Sequence, residues 1–226
     1  MSRWEIRIAL LLIPVLIPAT MAVGVPISAA SDVKPGLAIA ALETLPVKGR
    51  APKTGYTRAQ FGQRWADVNR NGCDTRNDIL KRDLTSILYK VKTRDCVVLS
   101  GVLVDRYSGE TINFVRGNIT SMAVQIDHVV ALSNAWQTGA FKLSADQRKA
   151  LANDSINLFA VKGRLNSQKG DGDAATWLPP LKSFRCEYVA QQIAVKAKYS
   201  LWVVPPEKAA MQLILEKCPA QNVPVS

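Results

Sequence analysis

Histidine is almost missing from this chain: 226 residues hold one, His128. Cysteine is scarce as well. Cys73, Cys96, Cys186 and Cys218 form no Cys-x-x-Cys pair, and a single imidazole cannot complete a Cys/His zinc set. No Gly-x-Ser-x-Gly occurs, which removes the nucleophile elbow of a Ser/His/Asp hydrolase. The chain also lacks internal repeats and regular βα alternation, which argues against a solenoid or a doubly wound sheet. Acidic residues are few: 18 against 29 basic ones, a formal charge of +11. Such an excess draws polyanions to the surface, but cell-wall polymers and anionic lipid answer to it as readily as nucleic acid.

What is present starts with an export signal. Arg3 and Arg7 precede an apolar run over residues 8–25, and Ser28-Ala29-Ala30 offers small residues for cleavage. The three-part pattern predicts a signal peptide over 1–30 and a secreted, extracellular product. The alternative is a retained anchor, because the run approaches the ~18–20 residues that span a bilayer. Pro14, Pro18 and Pro26 interrupt it and favour cleavage. Losing residues 1–30 removes two basic residues and one acidic one, so the mature chain stays near +10. In an exported chain, four cysteines argue for two disulfides. Three connectivities exist, of which Cys73–Cys96 with Cys186–Cys218 is the local one.

An apolar fraction of 48% supports a proper core. Residues 31–56, rich in Pro, Lys, Gly and Ala, read as a flexible lead-in whose last part could lie against the domain, 57–220 as one domain and 221–226 as a tail. Phe61, Trp65 and Val68 fall at helical spacing until Asn69-Arg70-Asn71-Gly72 breaks it. A short helix follows Cys73, with Asp74 or Thr75 as its N-cap. Residues 96–105 and 110–115 alternate as a hairpin around Arg106-Tyr107-Ser108-Gly109. Residues 123–126 form a strand leading into Asp127-His128. One or two helices fit 133–154, with Trp136 and Phe141 buried and a capping box at Ser144-Ala145-Asp146-Gln147. A strand over 156–161 turns at Gly163 into a helix that Pro179-Pro180 stops. Helices over 184–199 and 207–217 complete an α+β domain.

The chemistry concentrates between Gln125 and Lys169. Hydrolysing a phosphodiester needs an in-line nucleophile, neutralisation of phosphate charge and help for the leaving oxygen. A neutral imidazole can deprotonate water, and a hard divalent cation with oxygen ligands can do the rest. Asp127 supplies a hard ligand, His128 a base and Asn166 a carbonyl oxygen. Lys169, three residues further on the same helical face, could reach a phosphate. Consecutive strand residues point to opposite faces, so Asp127 and His128 can share a site only if the strand ends or bends there.

Asp127-His128, then Asn157, Asn166 nine positions later and Lys169 together resemble the HNH, or ββα-metal, nuclease motif. The strings from Asp127 to Leu132, Ala152 to Leu158, Asn166 to Asp171 and Trp177 to Pro180 resemble a narrower group. These are exported actinobacterial HNH nucleases related to the C-terminal domain of GmrSD-type endonucleases. With Cys73-Asp74-Thr75-Arg76 and the last helices, the likeness covers residues 44–218. It implies a single domain built on a ββα-metal hairpin and helix, with an extra β-hairpin and flanking helices. Asp127 and Asn166 would be the protein ligands of one Mg²⁺ (or Mn²⁺), His128 the general base, and Asn157 the residue holding the base-bearing loop. Lys169 and Arg76 would be phosphate contacts. The implied activity is a secreted endonuclease on DNA, with RNA a further candidate, acting as a monomer and leaving 5′-phosphate and 3′-hydroxyl ends.

Plainer readings stand beside these. A lone histidine is commonly structural, Asn157 could be a turn residue, Asn166 a helix N-cap, and Lys169 and Arg76 solvated charges; Arg185 is a further, weaker phosphate candidate. Asp171 and Asp173 read as surface or capping acids, Trp65 and Trp177 as core, although a partly exposed Trp177 could stack on a base. The competing function is a non-catalytic secreted basic protein that binds DNA or cell-wall polyanions.

Overall fold

A two-stranded antiparallel hairpin, packed on both faces, sits at the centre of the molecule. The computed structural model describes residue 1 and residues 36–224; the expected signal peptide lies, residue 1 apart, outside the described residues. Within them the order is α1 (Ala38–Thr44), α2 (Thr75–Asp83), β1 (Leu84–Tyr89), β2 (Val98–Val104), β3 (Thr111–Val115), β4 (Val124–His128), α3 (Leu132–Gln137) and α4 (Ala145–Asn153). Then come β5 (Leu158–Lys162), α5 (Gly163–Lys169), α6 (Arg185–Lys198) and α7 (Pro205–Leu215). The class is α+β.

β4 and β5 pair antiparallel from Val124↔Lys162 to His128↔Leu158. One face, with Val124, Ile126, Leu158 and Ala160, packs on α2 and on the separate sheet β1-β2-β3. On the other, Phe159 and Val161 join α1, α6 and α7. A strand covered on both sides reads as a continuous apolar run, which Leu158-Phe159-Ala160-Val161 is. At the hairpin's end Gly163 opens α5. A Cβ there would lie 2.0 Å from the Met122 carbonyl oxygen, so only glycine lets helix and strand entrance meet.

The expected hairpin around residues 106–109 forms as β2–β3, Asp74 caps α2 by accepting from Asn77 N–H, and Ser144 and Gln147 make the capping box of α4. Both disulfides follow the local pairing, Cys73–Cys96 and Cys186–Cys218.

Several expectations differ. The lead-in packs on the domain earlier than expected, from Leu37 onward: α1 buries Ala38 and Leu42, and Leu37 and Val47 bridge Asn222 and Val203. Val223 of the expected tail is buried too and joins the core. The helix read through Phe61, Trp65 and Val68 is only a 3₁₀ turn, Arg58–Phe61, ended by Gly62 at φ +71°. Val68 is exposed. β1 had no expectation. α5 stops at Gly170 (φ +55°), nine residues before Pro179, since a left-handed residue ends a helix as firmly as proline. Phe141 is 38% exposed, resting beside Trp136 and Trp202 rather than under them.

Candidate active site

β4 ends at His128, and that ending lets two consecutive residues face one space. Asp127 and His128 both line an open cleft of about 540 Å³, together with Asn166 from α5 and Arg76 from α2. Arg58 and Arg64, from the irregular chain before α2, complete its basic wall.

His128 is 7% exposed. Its Nε2 lies 2.9 Å from the Ala152 carbonyl oxygen. A carbonyl accepts only from N–H, so Nε2 carries the proton and the free lone pair is on Nδ1. Burial lowers the imidazole pKa from 6.5 to about 3, against the Ala152 bond, with Arg58, Lys169 and Arg64 adding repulsion. The ring is therefore neutral at physiological pH. Trp65 stacks on it, planes 11° apart and centroids at 6.0 Å, and the Arg64 guanidinium covers the other ring of that stack at 5.4 Å from Trp65.

Asn157 is fully buried. Its Oδ1 accepts from Val130 N–H at 2.8 Å, and its Nδ2 donates to the Leu151 carbonyl at 3.2 Å. The segment just after the histidine is thus tied to the helix end whose next residue, Ala152, holds the imidazole.

Asp127 is held on both oxygens. Oδ2 accepts from the Tyr107 hydroxyl at 2.5 Å, and Oδ1 from the Lys169 ammonium at 3.0 Å. Lys169 also donates to the His128 carbonyl at 2.8 Å, and its side chain is wholly buried. It does not line the cleft. As the last residue of α5 it turns inward under the strand end, so the expected phosphate contact does not fit its position. Tyr107, packed between Trp177, Phe184 and Tyr188, has its pKa raised well above the usual value by burial and then by Asp127. It therefore stays a donor.

Asn166 is the fourth residue of α5, whose N-cap is Lys162, so the capping alternative falls. Its Nδ2 donates to Gln125 Oε1 at 2.8 Å. That bond orients the amide and leaves Oδ1 without a partner among the described residues. Arg76 lies against the Val124 carbonyl at 3.4 Å. Its pKa is lowered by burial and by Arg116 and Arg64 nearby. Arg58, Arg64 and Arg76 enter no ion pair among the described residues. Asp171 lines the cleft rather than capping a helix, bonded to Ser133 at 3.0 Å and Lys53 at 3.3 Å. Asp173 is buried and paired with Arg50. Arg185 donates to the Pro179 carbonyl, away from the cleft. Trp177 packs on Tyr107 and Tyr188 as a core residue.

Sequence reasoning missed Arg58, Arg64 and Tyr107. No local signal marks them: Arg58 opens a 3₁₀ turn and Arg64 lies in the loop beyond it, and Tyr107 occupies a turn, where aromatic burial has no periodicity to announce it.

Residues 74–213 match the family described as GmrSD restriction endonucleases, C-terminal domain. The chain is similar to an uncharacterized secreted protein of Arthroderma benhamiae, 37% identical over 179 residues, covering 78% of this chain and 82% of that protein. No solved structure matches. No helix among the described residues is long and apolar enough to cross a membrane.

Proposed function

The chain belongs to the family of GmrSD restriction endonuclease C-terminal domains, and from that premise we propose that it is a secreted, metal-dependent endonuclease of the HNH type, hydrolysing DNA and, as a further substrate, RNA. One observation carries the reading: a neutral imidazole with a free Nδ1, an oxygen-donor pair and three unpaired arginines meet in a single cleft. In this reading β4, β5 and α5 are the two strands and helix of a ββα-metal centre.

The donor set fits a hard ion. Asp127 offers carboxylate oxygens and Asn166 an unpartnered amide oxygen, neither suited to a soft metal. No group of three His, Cys, Asp or Glu side chains gathers among the described residues. Water and phosphate would fill the remaining positions, as they commonly do for Mg²⁺. When bound, such an ion neutralises phosphate charge and assists the leaving oxygen.

The chain's own residues do the rest. Arg58, Arg64 and Arg76 draw the phosphate backbone into the cleft. Ala152 and Asn157 hold His128 in one tautomer and place. Nδ1 takes a proton from water, whose oxygen bonds to phosphorus as the bond to the 3′-oxygen breaks; the departing 3′-oxygen takes a proton from solvent water, leaving 5′-phosphate and 3′-hydroxyl ends. A phosphate beside the ring offsets the arginines that depress its basicity, so the base strengthens when substrate is in place. The relative's secreted description supports export of this chain with its signal peptide removed.

The test uses purified protein, supercoiled plasmid and Mg²⁺. Wild type should nick and linearise the plasmid and stop on addition of EDTA, while His128→Ala should lose about two to four orders of magnitude in rate and still retard the band. Undiminished cutting by His128→Ala removes the mechanism. Retardation without cutting by the wild type replaces the enzyme with a polyanion-binding protein.

A further inference from the structure

We infer that the buried Lys169 makes cation binding at Asp127 depend on the substrate's phosphate, so that ion and nucleic acid each strengthen the other's hold on the cleft. This rests on the proposed nuclease reading and assigns Lys169 a role in it.

The charges decide the matter. Asp127 is the one carboxylate that β4 brings to the cleft, and Lys169 is already 3.0 Å from its Oδ1. The other carboxylate of the wall, Asp171, is bonded by Lys53. Each acid thus has its own lysine, and Arg58, Arg64 and Arg76 form no ion pair among the described residues. Asn166 adds no charge. Before anything binds, the cleft is positive, and it offers a divalent cation one neutralised carboxylate and one amide. Sites that retain such ions unaided gather several carboxylates.

Lys169 differs from the arginines in a decisive way. They stand at the cleft and can turn toward solvent or phosphate. Its ammonium is sealed, with side-chain exposure of 0%, between Asp127 and the His128 carbonyl. It cannot leave when an ion arrives. Only added negative charge can restore the balance, and a phosphodiester brings one per nucleotide while pairing with the arginines. Linkage then requires reciprocity: the factor by which nucleic acid raises ion affinity is the factor by which the ion raises nucleic-acid affinity.

The experiment measures binding, not cleavage. In the His128→Ala background, which leaves the duplex whole, Mn²⁺ is titrated with its free-ion EPR signal as readout, with and without a short DNA duplex. Asp127→Ala serves as the blank for ions the duplex holds itself. The duplex should raise Mn²⁺ affinity about tenfold or more, equal to about 1.4 kcal/mol, and Mn²⁺ should raise duplex affinity by the same factor in fluorescence anisotropy. Adding Lys169→Gln should raise Mn²⁺ affinity in the absence of DNA and shrink the effect of the duplex. If Lys169 merely steadies Asp127, the same substitution weakens Mn²⁺ binding under both conditions, and its assigned role falls. Equal Mn²⁺ affinity with and without duplex overturns the inference while the nuclease reading stands. Absence of Mn²⁺ binding in both conditions, with wild-type cutting that survives EDTA, sinks the metal-dependent reading on which the inference rests. Should Lys169→Gln fail to fold, the two titrations of the Lys169-containing protein decide alone.

Discussion

Acid should weaken this protein through its one histidine, by an amount the structure allows to be worked out. Unfolded, His128 titrates near 6.5; folded, burial holds it at about 3. Above 6.5 the ring is neutral in both states and its contribution is complete. Between those values the unfolded chain takes up a proton that the native state refuses, so stability falls as pH falls. Each unit below 6.5 costs about 1.4 kcal/mol, hence about 2 kcal/mol at pH 5. For a domain of this size that lowers Tm by about 4–8 °C. Carboxylates titrate in the same range, so the control is His128→Gln, which cannot protonate. Guanidinium unfolding of both proteins at pH 7.5, 6.5 and 5 isolates the histidine: the stability gap between them should shrink by about 2 kcal/mol. A gap independent of pH would show that the imidazole is not sealed against protons. The same depression shapes catalysis, since kcat/KM reports the free enzyme; its acid limb should lie well below 6.5.

Arg76→Ala should weaken DNA binding whatever the sequence and reduce the slope of log affinity against log salt by about 1, read by anisotropy over a salt series. Asn157→Ala leaves the Val130 N–H and Leu151 carbonyl unpaired inside the protein. It should cost about 2–4 kcal/mol in a denaturant titration, with a loss of cleavage that exceeds any loss of binding.

Much of the domain was legible because short-range chemistry specifies it. Period-two alternation drew β2 and β3, the Ser144/Gln147 box opened α4, and an even cysteine count in an exported chain led to two bridges. Asp127, His128 and Asn166 could be singled out as candidates because donor type and spacing are written along the chain, and all three line the cleft. What the sequence could not determine depends on partners far away in it. Whether Lys169 faces phosphate or turns inward is settled by Asp127, 42 residues earlier. His128's proton acceptance is governed by the Ala152 carbonyl and the indole of Trp65. The arginine wall exists because Arg58 and Arg64, on a 3₁₀ turn and the loop after it, are laid against the cleft by the fold. A residue's type is local, but its burial, and so its charge state and reach, belongs to whatever the tertiary structure packs against it.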